Sequence, residues 1–449
     1  MRRGVAGRYT VLHYLGGGPA AALLLCGLLA CAGRPAPDGA PPTDANPDAP
    51  AVTASPDRTA AELLGDPALR AVSYGGYRAT SRDVQPTIAQ LREDLLLMHA
   101  MGIRVLRTYN VHLAHAANVL AAIRDLRAER PGFELYVMLG AWIDAHGAWT
   151  GGPVDHERES ARNADEIARA VELARAYPEV VKVIAVGNEA MVHWAAAYRV
   201  HPRIVLRWVR HLQGLKRAGE LPAGLWVTSS DNFASWGGGG AEYHLPELDS
   251  LIGAVDFLSV HTYPMHDTHY NPAFWGVTPA EEALGKEAAV RTAMRRSLGY
   301  ARAQLDAVRA YADSLGHAGK PIHVGETGWA SSSDGLYGPE GSRACDEYKQ
   351  ALYHELIRGY TDSAGMACFY FEAFDEPWKD AGNPAGSENF FGLFTVDGRA
   401  KYALWPLVDA GVFDGLTRGG RPITKTYGGD LDALLREVAL PPVRPRLAD

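Results

Sequence analysis

The stretch "VIAVGNEAMVHW", Val183 to Trp194, decides how the fold is read. Its first four residues are β-branched or alanine, which suits a buried strand. Gly187, Asn188 and Glu189 follow, so an apolar run is driven straight into an acid. A second stretch, "PIHVGETGWASS" from Pro321 to Ser332, repeats the pattern with Gly325 and Glu326. A charge at the end of a buried strand is costly unless that end opens onto something that uses it.

Working outward, the same kind of run recurs at regular intervals. Strand candidates fall at 71–77, 103–110, 134–142, 225–232, 255–263, 321–326 and 365–374, besides the opening stretch. Helical patterns separate them, at 86–101, 112–129, 158–177 and 279–314. In the first of these Pro86 suits the first turn, and Ile88, Leu91, Leu95 and Met98 share a face. Eight continuous apolar strands alternating with helices predict a parallel sheet closed as a (β/α)8 barrel; a doubly wound open sheet is the competing arrangement. The barrel is expected over residues 66–430, with 431–449 as a C-terminal tail.

The first 65 residues read differently. Arg2, Arg3 and Arg8 precede the short apolar core "AALLLCGLLAC", too short to span a bilayer. This is a secretory signal over 1–30, and Leu28 to Cys31 resembles a bacterial lipobox, which implies lipidation at Cys31. Residues 31–65 are rich in Pro, Ala and Asp and read as a tether that cannot bury enough apolar surface to fold. The expected location is the bacterial cell envelope, with Ala32 favouring the outer membrane or cell surface. Removing the signal leaves 41 of the 44 basic residues against 52 acidic ones. Such a balance, with no basic stripe, excludes a nucleic-acid footprint. Cys345 and Cys368 are expected at opposite ends of a β/α unit and so unbridged.

In a barrel of this kind catalytic groups sit at the C-terminal ends of the strands. Here those ends carry Arg107, Tyr109 and Asn110; Trp142 and Asp144; Asn188 and Glu189; Asp231 and Asn232; His261 and Tyr263; Glu326 and Trp329; and Glu372, Asp375, Glu376 and Trp378. Two carboxylates across a mouth lined with Trp and Tyr suit sugar chemistry. Aromatic faces stack on sugar rings, and glycoside cleavage needs an acid and a second carboxylate. The "HDTH" run at 266–269 has metal-like spacing but no third ligand, so no metal and no cofactor are expected.

These residues also carry a resemblance. "GNE" on the fourth strand and "GETGW" on the seventh are similar to glycoside hydrolase clan A. "VGETGW" with "YFEAFDEPWK" and "FFGLFTVDGRAKY" resembles glycoside hydrolase family 17, the β-1,3-glucanase and glucanosyltransferase family, in its microbial branch. The resemblance implies a monomeric β-glucan hydrolase working with retention, Glu189 as acid/base and Glu326 as nucleophile. It places Glu376, Lys379 and Glu388 in a polar group flanking the nucleophile. Asn188 suits the sugar 2-hydroxyl, while Tyr263 and Arg107 suit an ionised Glu326. Glucan transfer instead of hydrolysis is one alternative; a lipoprotein that binds glycan without cleaving it is another.

Overall fold

A computed structural model describes residues 58–444. Cys31, the signal and the tether up to residue 57 lie outside the described residues. Eight parallel strands form a closed barrel: β1 (Arg70–Ser73), β2 (Ile103–Arg107), β3 (Tyr136–Ala141), β4 (Val181–Asn188), β5 (Trp226–Asn232), β6 (Leu258–His261), β7 (Ile322–Thr327) and β8 (Cys368–Tyr370). They pair in chain order, and β8 closes on β1 through Ala71–Phe369 and Val72–Tyr370. This is the (β/α)8 barrel expected from the alternation.

Strand side chains alternate between two environments. Val72, Leu106, Val137, Ile184 and Val186 pack with helix residues such as Leu91, Leu95 and Val205 in the outer layer. Ala71, Val105, Met138, Val183, Ala185 and Phe369 form a separate cluster inside the barrel. Two residues further along, the same inward rows become polar: Ser73 follows Ala71 and Arg107 follows Val105. The barrel interior is thus apolar below and polar at the mouth.

The outer helices are cut as their sequences suggest. Helix Pro202–Arg217 has proline in its first turn and Lys216 and Arg217 in its last, and it buries Ile204, Val205, Val209 and Leu212. The segment expected at 86–101 is helix Ile88–Ala100. Thr87 caps it in a reciprocal capping box with Gln90, so Pro86 precedes the cap. Ile88 is 38% exposed, while Leu91, Leu95 and Met98 are buried. The segment at 279–314 breaks at Gly285 into Pro279–Glu282 and Lys286–Ser314.

Both domain boundaries differ from expectation. Residues 60–65, assigned to the tether, form helix Ala60–Gly65, closed by a Thr59–Glu62 capping box. Its Ala60, Leu63 and Leu64 join the interior cluster and seal the lower end of the barrel. Three apolar side chains with a ready socket outweigh the polar composition before them. The expected tail at 431–449 instead begins with helix Leu431–Glu437, which buries Leu434; Val438 beyond it is also buried. Val443 then pairs with Val277. Cys345 and Cys368 are unbridged, Cys368 buried and Cys345 half-buried. Among the described residues, no helix is long and apolar enough to cross a membrane.

Candidate active site

Both glutamates stand at breaks in strand register. Pairing between β4 and β5 steps from Ala185–Thr228 to Asn188–Ser230, leaving one extra residue in β4. Pairing between β6 and β7 steps from Val260–Val324 to His261–Glu326, leaving Gly325 extra. Such bulges re-aim the side chains that follow. Gly187 has φ 83° and Glu189 itself has φ 46°. A non-glycine residue there carries about 1–3 kcal/mol of strain, a cost typical of functional sites. Gly325 is required for closeness: a Cβ there would lie 2.1 Å from Ser259 Oγ and 2.5 Å from Ser230 Oγ.

The two carboxylates meet over a shared floor. Arg107 Nη1 donates to Glu326 Oε1 at 2.6 Å and to the Gly325 carbonyl at 2.8 Å. Its Nη2 donates to Asn188 Oδ1 at 2.5 Å, which turns the Asn188 amide nitrogen away from the arginine. Tyr263 donates its hydroxyl to Glu326 Oε2 at 2.9 Å. His261 lies between: Nδ1 is 3.0 Å from Glu189 Oε1 and 3.7 Å from Glu326 Oε2. His261 Nε2 is 3.3 Å from Arg107 Nη1 and 2.7 Å from Ser230 Oγ. Since Arg107 can only donate, Nε2 accepts and Nδ1 carries the proton, an assignment made from the network. One ring nitrogen therefore reaches both carboxylates. That closeness is compatible with the roughly 5–5.5 Å spacing of a retaining pair.

The two acids are driven apart in proton affinity. Burial raises Glu189 well above the usual carboxylate range, and the charges of Glu326 and Asp231 add to it against the pull of Arg107. Burial also disfavours charge on Glu326. There His261, Arg107 and the hydroxyl of Tyr263 prevail and hold it below its ordinary value. Burial depresses His261 to about 3, so near neutral pH it contributes its N–H dipole and Arg107 supplies the standing charge. The result is one protonated and one ionised carboxyl on a common floor.

Around them opens a cleft of about 1240 Å³. Tyr109, Asn110, Trp142, Asn188, Tyr263, Glu376, Trp378, Lys379 and Glu388 all line it, with Glu189 and Glu326. Four residues expected at the substrate do not reach its surface. Arg107 and His261 are 1% and 0% exposed and act beneath the carboxylates, because their inward rows place them one layer down. Asp231 is 0% exposed; its two oxygens accept the Met191 and Asn232 amides behind Glu189, and burial pushes it up to about 7. Trp329 is also 0% exposed. Its indole donates to the Ala344 carbonyl at 2.8 Å, and its ring packs at 5.1 Å from Tyr353 and 5.7 Å from Trp275. Three residues past Glu326, the chain has turned this side chain out into the helix layer.

Other lining residues escape a strand-end reading. Trp149 and Tyr198 stack at 5.1 Å and join Trp142 in an aromatic wall, all on loops after β3 and β4. Tyr77 and Arg82 flank Trp378 on the opposite side. His266 faces Glu388 at 3.4 Å. Among the described residues, no group of three or more His, Cys, Asp or Glu is placed to hold a metal ion.

Comparisons with known proteins agree with this geometry. The chain is similar to a crystallised endo-laminarinase from Formosa Hel1_33_131, 60% identical with a TM-score of 0.86, covering 87% of this chain and 100% of that one. It is 26% identical over 324 residues to a glucan 1,3-beta-glucosidase of Arthroderma benhamiae, spanning 70% of this chain and 83% of that protein. Residues 71–392, well over half of the chain, match the family described as BtgE/BtgC glycoside hydrolase domain, and the protein belongs to that family.

Proposed function

We propose that this protein cleaves β-1,3-glucan of the laminarin type within the chain and with retention, as a member of glycoside hydrolase family 17. The observation that carries the mechanism is the pair Glu189 and Glu326, oppositely protonated and both within reach of His261 Nδ1. The glucan linkage rests on the likeness to the endo-laminarinase and the glucan 1,3-beta-glucosidase.

In the first step a Glu326 oxygen attacks the anomeric carbon while the glycosidic C–O bond breaks, and Glu189 gives its proton to the leaving oxygen. The sugar is now an ester of Glu326. In the second step Glu189, now a carboxylate, takes a proton from water as that water attacks the same carbon and releases Glu326. Two inversions give net retention. Asn188 presents its amide nitrogen to the cleft and suits the sugar 2-hydroxyl, a contact that tightens in the transition state. Trp142, Tyr198 and Trp378 line the cleft as aromatic contacts for neighbouring units.

The protein is further proposed to act as a monomer held in the bacterial envelope by lipid on Cys31. The lipobox-like run before that residue and the polar stretch after it support this reading. Incubation with laminari-oligosaccharides, resolving products by length over time, tests the activity. Shorter products with the β anomer formed first are expected. Products longer than the substrate would assign transfer instead, and an α anomer formed first would refute retention.

A further inference from the structure

We propose that Glu372 is a substrate-binding residue on the glycone side of the cleft, taking a sugar hydroxyl at its Oε1. This rests on the glycosidase reading above and extends it to a residue that reading does not use. Glu372 lines the cleft yet is 1% exposed. Its Oε1 is buried and has no hydrogen-bond partner in the protein. Buried polar atoms are nearly always paired, and an unpaired one on a residue that lines a binding cleft points to a partner that arrives with the ligand.

The neighbours narrow the choice. Lys379 Nζ lies 3.6 Å from Glu372 Oε2 and 3.8 Å from Glu376 Oε2. Glu376 is occupied: it accepts the Tyr77 amide and the Trp378 indole. Glu388 faces His266. Of these three only Glu372 has an oxygen that is both buried and unpaired. Burial, with Glu376, Asp375 and Glu388 nearby, pushes it well above the usual carboxylate range against the opposing charge of Lys379, so it keeps a proton to higher pH than an ordinary carboxyl. A carboxylic acid is donor and acceptor in one group, as a sugar hydroxyl is. The Lys379 ammonium lies over the Phe371 ring, 4.2 Å from its centroid, on the same side of the cleft.

Its side of the cleft follows from the barrel. β8, which leads into Glu372, neighbours β7 and lies opposite β4 in the ring of eight. The leaving group departs towards Glu189 at the end of β4. The sugar joined to Glu326 therefore extends away from it, towards β8.

The test is calorimetric binding of laminaritetraose to a Glu189→Gln parent, which does not turn it over, and to that parent carrying Glu372→Ala or Glu372→Gln. Hydrolysis by the unaltered protein, measured separately, reports on the glycosidase reading. Ala is expected to weaken binding about tenfold or more, since a sugar hydroxyl loses its partner. Gln keeps a donor and an acceptor and should stay within about threefold. The parent should weaken at alkaline pH, where the acid loses its proton, and the Gln variant should not. Equal binding by Ala and parent, or equal damage in Ala and Gln, overturns the proposal even if the unaltered protein hydrolyses glucan. A parent that binds no laminari-oligosaccharide overturns it together with the reading it rests on.

Discussion

Replacing Arg107 with Met removes the only cation that, among the described residues, is in hydrogen-bond contact with Glu326, while keeping most of the volume. The guanidinium is 1% exposed and the carboxylate side chain 8%. Removing one partner from a pair buried to that degree costs about 3–5 kcal/mol. The hydroxyl of Tyr263 and the N–H of His261 remain beside Glu326 and should hold the loss near the lower figure. The pH dependence is the sharper readout. Glu326 is held below its ordinary value, so the stability it contributes is present above the unfolded carboxylate pKa and lost as pH falls through the folded one. Without Arg107 the folded value rises, and the acid limb of kcat/KM on laminari-oligosaccharides should move up by about 1–3 pH units. Arg107→Lys restores a charge but cannot span Gly325, Glu326 and Asn188 at once. Its acid limb should fall between the two, with KM raised because Asn188 is no longer held. Chemical denaturation gives the folded fraction in parallel. An unmoved acid limb in Arg107→Met, in protein shown to be folded, would mean that this charge is not what keeps the nucleophile ionised.

Trp329→Ala should cost about 3–5 kcal/mol of stability with near-normal specific activity in the folded fraction, and intact stability with lost oligosaccharide binding would return Trp329 to the cleft. Given a substrate with a good leaving group, azide should rescue Glu326→Ala to the α-glycosyl azide and Glu189→Ala to the β-glycosyl azide; exchanged or identical anomers, read from the NMR coupling, would reverse or cancel the assigned roles. Asp231→Asn removes a negative charge that raises Glu189, so the alkaline limb of kcat/KM should move to lower pH; an unmoved limb would leave Asp231 a purely structural role. Cys31→Ala should release the protein from membranes without loss of activity on soluble glucan, and retention on the membrane would refute the lipid anchor.

The barrel was legible because short apolar runs recur between helical patterns, some of them bounded by local signals such as Pro202 and Lys216. The two glutamates were legible because an acid closing such a run is conspicuous. What turned them into the cleft was not: a bulge is a relation between two strands, and Gly187 or Gly325 alone does not announce it. Asp231 was misplaced because it lies inside β5, where its oxygens are taken by the Met191 and Asn232 amides, and Trp329 because it follows a strand. Position after a strand end says that a residue is near the mouth, while the turn taken by the chain decides which layer it enters. Trp149 and Tyr198 lie well beyond the ends of the barrel strands and meet through the folding of two loops. Glu372 stood in plain view in "FEAFDE", but a polar strand end carries little information until its unpaired oxygen is seen.

The floor of the site also explains how one glutamate can serve as acid and then as base. Before attack, negative charge lies on Glu326, matched by Arg107 and Tyr263, and it raises the proton affinity of Glu189. Once Glu326 is an ester, that repulsion is gone. Glu189 has by then lost its proton to the leaving group, and its Oε1 already faces the His261 N–H at 3.0 Å. The same N–H lies 3.7 Å from Glu326 when the ester is released and the charge returns. A neutral His261 is what makes this work. A protonated ring would place a second full charge beside Arg107 and favour ionisation of both carboxylates at once. Its depression to about 3 removes that state across the pH range in which the two acids must differ. The charge thus moves between two carboxylates while the donors beneath them stay in place, so little reorganisation is needed at either step.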